Sequence, residues 1–373
     1  MNNSTFSIIN KDKKTSARIG ILYTKKGKIE TPFFMPVSTK AAAKFVNPKK
    51  IEELGAVATI SNAFILSIRP GTKPIKKLGG IGRFMNTILV NFTDSGGFQM
   101  YSKSFYISSD EKGVIFKNPV SGEKIFMTPE KNMKLQSDIG GDIAMCLDRM
   151  PLYEDSKKEI EKAVDLTTIW ANRCKKHHDK LQKNIPKNKR QLLFGITQGG
   201  IYPDLRERSL RELLKLDFDG YSIGGFGMGE TFDEEMKIVK QQKQILPEDK
   251  PVYLMGIGSP NEILEAISYG VDIFDSRMPT MNARHGELFT SKGKIKLLNK
   301  KYESDKNPID KSCNCFACKN FSKAYIRFLL KENEPVGKEL ASYHNLYYLQ
   351  NIIKEAKNAI KKGKFKEFKE NFA

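Results

Sequence analysis

The stretch Leu192-Leu-Phe-Gly-Ile-Thr-Gln-Gly-Gly200 indicates the fold class of this chain. Its first five residues are apolar or glycine, without the alternation that marks a strand with one face in water. Such runs are typical of parallel sheets, because helices cover both faces of those sheets. The run then ends in Gln198 and two glycines, so the sequence predicts a buried strand with a polar carboxyl end.

Short apolar segments of this kind recur along the chain, separated by stretches of helical length and pattern. Together with Leu192 to Ile196 they make eight predicted strands, the others being residues 31–37, 57–61, 88–92, 143–147, 221–223, 252–255 and 273–274. Eight strand–helix units predict an α/β fold of the (β/α)8 TIM barrel type, since open doubly wound sheets more often have about five or six strands. No Gly-x-Gly-x-x-Gly follows the first predicted strand, which also disfavours a dinucleotide-binding fold.

Two segments interrupt the barrel pattern. Residues 113–128 alternate apolar and polar side chains around Asn118-Pro-Val-Ser-Gly122, which predicts a β-hairpin inserted after strand 3. A cluster of cysteines after the eighth strand predicts a small zinc-binding subdomain near the C-terminus. We therefore expect a barrel catalytic domain over residues 1–304, the zinc-binding subdomain over 305–350, and a basic C-terminal helix over 351–373 that packs on the barrel.

The candidate metal ligands are crowded into a short segment, with a histidine farther along the chain. They are Cys313, Cys315, Cys318 and His344. Three thiolates and a neutral imidazole suit tetrahedral zinc, and four protein ligands leave no open position for a catalytic water. We therefore expect one structural Zn2+ per chain. Free buried thiols with a surface histidine are the alternative; disulfides are disfavoured, since no signal peptide opens the chain and Cys146 and Cys174 are isolated.

The charge balance points to a polyanionic partner. Lys and Arg number 63 against 43 Asp and Glu, a formal net charge of +20. This charge attracts nucleic acid first, although a lysine-rich solvated surface would give the same total. No apolar run reaches the roughly 18 residues that span a bilayer, and residues 1–14 are too polar for a secretory signal. We therefore expect a cytoplasmic protein with no membrane partner.

Polar residues and glycines follow the predicted strands at the end where barrel enzymes carry their active sites. The segments are Asp94-Ser-Gly-Gly-Phe-Gln99, Asp148-Arg149, Gln198-Gly-Gly200, Gly224-Gly225 and Asp275-Ser-Arg277. One carboxylate at a strand end could be a helix cap. Three carboxylates with two diglycines are better explained by a binding site, because glycine lets backbone amides approach a flat ligand.

The residue types at these ends favour one kind of chemistry. A metal-dependent barrel hydrolase needs histidines there, and no strand end carries a His-x-His pair or a lone lysine for Schiff-base chemistry. Paired carboxylates suit cleavage of a glycosidic bond, since one attacks the anomeric carbon while the other moves protons at the leaving group. With a charge of +20, the sugar is expected to belong to a nucleic acid.

Several motifs resemble the tRNA-guanine transglycosylase family, also called queuine tRNA-ribosyltransferases, in its bacterial form. They occur in the family's order from about residue 15 to residue 370, and several independent motifs make the resemblance specific. They are Asp94-Ser-Gly-Gly-Phe-Gln99, Phe194-Gly-Ile-Thr-Gln-Gly-Gly200, Tyr253-Leu-Met-Gly-Ile-Gly258, Phe274-Asp275 with Pro279-Thr280, Arg284 with Gly286, and the Cys/Cys/Cys/His set.

The resemblance implies an enzyme that exchanges guanine 34 in tRNAs with GUN anticodons, those for Asp, Asn, His and Tyr, for a 7-deazaguanine during queuosine biosynthesis. Asp275 would be the nucleophile of a covalent ribosyl-aspartate intermediate, and Asp94 the general acid/base. A homodimer is expected. The base would be held by Asp148, Gln198 and the backbone of Gly225 at its polar edge, and by Phe98 and Met255 on its faces. The alternatives are barrel core for Phe98 and Met255, and an ion pair with Arg149 for Asp148.

This chain departs from the bacterial pattern at several positions near the expected site. Met281 replaces the arginine that usually follows Pro-Thr and contacts an anticodon uridine, while Arg284 keeps its place and Arg277 is a candidate replacement in RNA binding. Met228 replaces a valine and Met150 a cysteine near the 7-substituent of the base. The bulk of Met228 favours the small base preQ1 over queuine.

Two other functions stay open on the sequence alone. One is a non-catalytic tRNA-binding subunit of a transglycosylase heterodimer, against which the retention of Asp94 and Asp275 argues. The other is a zinc-dependent barrel hydrolase, in which the metal would have an open coordination position.

Overall fold

A computed structural model describes residues 5–101 and 104–372, without the side chains of Phe98 and Gln99. Its strands, in chain order, are β1 (Phe6–Lys11), β2 (Arg18–Thr24), β3 (Gly27–Glu30), β4 (Phe33–Pro36), β5 (Ala58–Asn62), β6 (Val90–Asp94), β7 (Tyr106–Asp110), β8 (Gly113–Lys117), β9 (Lys124–Met127), β10 (Ile143–Met145), β11 (Leu192–Thr197), β12 (Gly220–Ile223), β13 (Val252–Leu254), β14 (Ile273–Ser276), β15 (Glu287–Thr290) and β16 (Gly293–Lys296). Its α-helices are α1 (Pro48–Glu53), α2 (Ala63–Ile68), α3 (Thr72–Lys77), α4 (Ile81–Phe84), α5 (Gly97–Met100), α6 (Pro129–Ile139), α7 (Lys157–Gln182), α8 (Pro203–Leu214), α9 (Phe232–Ile245), α10 (Pro260–Ser268), α11 (Met278–Arg284), α12 (Phe316–Asn320), α13 (Lys323–Lys331), α14 (Pro335–Lys361) and α15 (Phe365–Phe372).

Eight parallel strands form the central sheet, in the order β4-β14-β13-β12-β11-β10-β6-β5. A parallel bridge between Val37 and Ile60 joins β4 to β5, and Ser38 N donates to Ile60 O at 2.7 Å, so the sheet nearly closes on itself. These are the eight segments predicted from the apolar runs. The predicted (β/α)8 barrel is therefore confirmed.

Alternate residues of the strands fill the inside of the barrel. Phe33 and Met35 of β4 belong to the interior cluster, whereas Phe34 between them packs on the outer side against the helices. Phe92 contacts Phe33, Phe194 and Tyr253 with ring centroids 6.0–6.3 Å apart, each edge to face. The interior is thus a packed apolar core, as barrels of this size require.

An antiparallel sheet of β1, β2 and β3 covers the amino-terminal end of the barrel, and the sequence patterns did not predict it. Phe6 and Leu22 from this sheet join the interior cluster. Arg18 forms a buried ion pair with Asp272, the residue before β14, with 2.5 Å between Nη2 and Oδ2. This end of the barrel is therefore closed, and ligands reach the barrel at its carboxyl end.

The insertion after β6 is larger than the predicted hairpin. The hairpin is β8 with β9, and β7 pairs with β8 as a third antiparallel strand. β7 reads Tyr-Ile-Ser-Ser-Asp and is mostly exposed, so its sequence lacks the apolar alternation that would have predicted a strand.

Helix α14 connects the cysteine-rich segment to the barrel. It carries His344; Asn345 Nδ2 donates to Pro279 O at 3.0 Å, and Gln350 Nε2 donates to Phe34 O at 3.0 Å. The domain boundaries at residues 304 and 350 stay a prediction, and α14 runs through residue 350 without a break. None of the helices in the described ranges is long and apolar enough to cross a membrane.

Candidate active site

Six neighbouring strands bring the predicted site residues to one end of the barrel. β6 ends in Asp94 and β14 contains Asp275, while the four strands between them are followed directly or within three residues by the rest. Those residues are Asp148 after β10, Gln198 after β11, Gly225 after β12 and Met255 after β13. Since the strands are parallel, all six groups face one mouth.

Asp94 lies in a buried position that raises the pKa of its carboxyl. Burial, and next to it the nearby carboxylates of Asp148 and Asp275, raise the pKa of its carboxyl to about 7, against backbone hydrogen bonds from Gly96 and Ser95 that lower it. Asn62 Nδ2 donates to Asp94 Oδ2 at 3.1 Å. A carboxyl with this pKa can both give and accept a proton near pH 7.

Asp275 is held by two hydrogen bonds to the same oxygen. Tyr253 donates its hydroxyl to Oδ1 at 2.5 Å, and Gly256 N donates to Oδ1 at 3.0 Å. Burial raises the pKa of Asp275, while these two donors favour its ionised form. Both bonds go to Oδ1 and fix the side chain through that oxygen.

Asp148 and Gln198 form one polar wall. Gln198 Nε2 donates to Asp148 Oδ2 at 2.7 Å, and burial raises the pKa of Asp148 to about 6. A Cβ on Gly97 would lie 2.7 Å from Asp148 Oδ1, so only glycine fits beside this carboxylate. Gly225 has φ +78°, and a Cβ there would lie 2.5 Å from Gln198 Oε1. Both glycines keep the wall open to a flat ligand.

The alternative ion pair between Asp148 and Arg149 is not formed. The Arg149 guanidinium lies over the Tyr101 ring at 4.6 Å and donates from Nη1 to Met150 O at 2.7 Å. Asp148 therefore pairs with Gln198 and points into the mouth rather than to its neighbour in sequence.

The structure places the remaining predicted residues around this wall. Met255 is half-buried against the interior cluster. Phe98 belongs to α5, but its side chain lies outside the described part of the chain. Arg277 precedes α11 and Arg284 ends it, close enough for the charge of Arg277 to lower the pKa of Arg284 beyond the effect of burial.

Three further residues support the site and were missed from the sequence. Besides Asn62 and Tyr253, buried Arg206 of α8 donates to Thr197 O, Gly200 O and Gly224 O at 3.2, 2.7 and 2.8 Å. It thereby joins the two diglycine turns. Of these three residues, Tyr253 alone could have been found from the sequence, because a tyrosine in a buried strand usually has a hydrogen-bond partner for its hydroxyl.

The cysteine-rich segment forms a separate cluster. The ligand atoms of Cys313, Cys315, Cys318 and His344 all lie within 4.8 Å of one another. His344 Nδ1 is 3.8, 3.4 and 3.4 Å from the three Sγ atoms in turn. A tetrahedral ion with ordinary zinc bond lengths places sulfur and nitrogen about 3.6 Å apart. The four residues can therefore hold a metal ion, and His344 Nε2 lies 2.7 Å from Phe289 O, which orients the ring.

The fold and the site together define a class: a (β/α)8-barrel enzyme whose mouth carries three carboxylates, those of Asp94, Asp148 and Asp275. Among the described residues, the Cys/Cys/Cys/His cluster is the one group of three or more potential metal ligands. Four protein donors would complete the coordination of a tetrahedral ion and leave no position for the water that a metal-dependent hydrolase activates. The cluster therefore argues against that class of enzyme.

Comparisons with known proteins identify the family. A sequence model described as "Queuine tRNA-ribosyltransferase" matches residues 12–373. Proteins of that name from Thermoanaerobacter sp. (strain X514) and Clostridium perfringens (strain 13 / Type A) are each 44% identical to this chain, over 98% and 99% of it and 96% and 97% of their own length. One from Lysinibacillus sphaericus (strain C3-41) is 42% identical over 98% of this chain and 94% of its own. This chain belongs to the queuine tRNA-ribosyltransferase family, as the motifs predicted.

Proposed function

We propose that this protein is a tRNA-guanine transglycosylase that replaces guanine 34 of GUN-anticodon tRNAs with a 7-deazaguanine, through a covalent ribosyl-aspartate intermediate. The observation that carries the proposal is the pairing of Asp94, whose pKa is about 7, with a hydrogen-bonded Asp275 in one mouth. One group can transfer protons while the other attacks carbon. Because its proposed substrates are tRNAs, we also propose that it acts in the cytoplasm.

In the first half of the reaction, Asp275 Oδ2 attacks C1′ of the flipped nucleotide and the bond from C1′ to guanine breaks. Protonated Asp94 gives its proton to the departing guanine. The bonds from Tyr253 and Gly256 to Oδ1 hold the attacking oxygen in place without using its lone pairs. This is nucleophilic catalysis with a general acid at the leaving group.

In the second half, the incoming base occupies the site that guanine left. Asp94, now ionised, accepts the proton of that base, whose nitrogen attacks C1′ and displaces Asp275. The wall of Asp148 and Gln198 offers an acceptor and an amide to the polar edge of either base. Two displacements at C1′ restore the original configuration of the ribose.

The incoming base is proposed to be preQ1 in preference to queuine. Met228 is half-buried and packs against the outer core, and its amide donates to Glu230 Oε2 at 2.9 Å. A thioether held here fills space that a cyclopentenediol substituent would need. Because methionine is flexible, the preference should be modest.

One assay tests the proposed function. Unmodified tRNA is incubated with the enzyme and with labelled guanine, preQ1 or queuine in parallel, and incorporation is counted. We expect all GUN tRNAs to be labelled, with a higher kcat/KM for preQ1 than for queuine. An enzyme that labels no tRNA with any base would refute the function, whereas a preference for queuine would refute only the role of Met228.

The Cys/Cys/Cys/His cluster is proposed to bind one structural Zn2+. Cys315→Ser should therefore lose the metal and lower the melting temperature, since structural zinc supplies folding free energy directly. Metal content by mass spectrometry and thermal denaturation measure the two effects. Cys174→Ser is the matched control, because Cys174 is also a buried thiol but lies outside the cluster. Equal zinc content in the Cys315 variant and wild type would mean that the ligand set is wrong.

A homodimer is also proposed, from an exposed aromatic surface beside the cluster. Phe316, Tyr325 and Phe328 are 52%, 44% and 56% exposed, and Phe321 stacks on Tyr325 with ring centroids 5.5 Å apart. Aromatic surfaces of this kind usually mark contacts with another protein. Arg277 and Arg284 are proposed to contact the tRNA near the exchanged base.

A further inference from the structure

Phe45 occupies an unusual position in the loop after β4. Val46 N donates to Ala43 O at 3.1 Å, which closes a tight turn with Phe45 at its third position. The φ angle of Phe45 is +66°. This position of a turn favours glycine, and a bulky side chain there strains the backbone. Strain of this kind is usually kept where the side chain serves a function.

Three cations surround the Phe45 ring. The charged atoms of Lys44 and Lys338 lie 5.4 and 5.5 Å from its centroid, and the guanidinium carbon of Arg284 lies at 6.0 Å. Among the described residues, no carboxylate lies within 4.0 Å of any of the three, and Lys338 donates only to Asn333 Oδ1. Three like charges around one ring repel each other, so an anionic partner would stabilise them.

The Phe45 loop lies at the mouth of the barrel. It follows β4, which pairs with the strand that carries Asp275, and Arg284 ends the helix that follows that strand. On its other side, Asn62 N donates to Thr39 O at 3.3 Å, and the Asn62 side chain holds Asp94. The Phe45 loop is therefore linked to β14, which carries Asp275, and to Asn62, whose side chain donates to Asp94.

We propose that Phe45 is a stacking platform for an unpaired nucleotide of the anticodon loop that flanks the exchanged guanosine, with Lys44, Arg284 and Lys338 at the adjacent phosphates. The proposal rests on the proposed function. An aromatic face with cations around it is the combination by which proteins bind single-stranded nucleic acid, because bases stack on the ring while the cations neutralise the backbone.

The test compares Phe45→Gly and Phe45→Tyr with wild type. Phe45→Gly should weaken binding of an anticodon stem-loop about 5- to 150-fold, the usual effect of losing one stacked base. It should melt no lower than wild type, since glycine adopts a φ of +66° without strain. Phe45→Tyr keeps the aromatic face and should bind within about twofold of wild type. In exchange assays KM for tRNA should rise, while kcat at saturating tRNA should hold.

Tyr23→Ala is the matched control. Tyr23 is also partly exposed with a lysine over its ring, Lys28 at 5.3 Å, but it lies in β2 at the closed end of the barrel. Unchanged RNA affinity in Phe45→Gly would overturn the proposal. A lower melting temperature of Phe45→Gly would also overturn it. A changed sedimentation coefficient of this variant would overturn it too, because it would show that Phe45 belongs to a contact between subunits. Guanine exchange by the wild-type enzyme is measured in parallel. Absence of this exchange would refute the proposed function, whereas the outcomes above concern only the role of Phe45.

Discussion

Asp275→Asn is expected to abolish base exchange, with turnover lower by on the order of 10⁴- to 10⁶-fold, as for deletion of a catalytic nucleophile. An amide oxygen is too weak a nucleophile to form the bond to C1′. The amide can still accept hydrogen bonds from Tyr253 and Gly256, so the site should keep its shape. The measurement is a denaturing gel of enzyme incubated with tRNA, on which wild type gives a covalent band and the variant gives none.

Tyr253→Phe is the control for this result. It removes one of the two donors to Asp275 Oδ1 but leaves the carboxylate in place. Turnover should fall while the covalent band persists. A band in the Asp275 variant would show that another group attacks the ribose, and loss of tRNA binding in that variant would show that the substitution damages more than the chemistry.

The barrel could be predicted because its strands are buried on both faces. A segment such as Leu192 to Ile196 must be apolar throughout, and this pattern is visible without any knowledge of its neighbours. The same logic located the site, since residues at the carboxyl ends of parallel strands must share one mouth. Asp94 and Asp275 are far apart in sequence, yet the fold class alone brings them to the same end.

The missing parts of the prediction depend on contacts that no local pattern encodes. β15 and β16 have only four residues each, and β7 is mostly polar, so tertiary pairing decides these strands. The hydrogen bonds of Asn62 to Asp94 and of Tyr253 to Asp275 join residues on different strands. Local spacing did locate the Cys/Cys/Cys/His cluster, because its three cysteines lie within six residues.

Asp94→Asn is expected to lower exchange ~10²- to 10⁴-fold, the usual contribution of a general acid/base. In wild type, kcat/KM for tRNA should fall as pH rises through about 7, because departing guanine needs the protonated form of Asp94. The residual activity of the variant should lack this dependence, since an amide does not titrate there. Initial rates of labelled guanine incorporation between pH 5.5 and pH 8.5, a range of about 1.5 units on each side of that pKa, measure both effects.

The same substitution should also change how the stability of the folded protein depends on pH, in a direction set by the raised pKa of Asp94. Between the ordinary pKa of 3.8 and about 7, the folded protein keeps a proton on Asp94 that the unfolded chain has lost. Wild-type stability therefore falls as pH rises through this window, and the loss is complete above it. Asparagine has no such loss, so the melting temperature of the variant relative to wild type should be higher at pH 8 than at pH 5. If that difference is the same at both values, Asp94 is not the buried proton carrier; exchange within about twofold of wild type would remove its catalytic role as well.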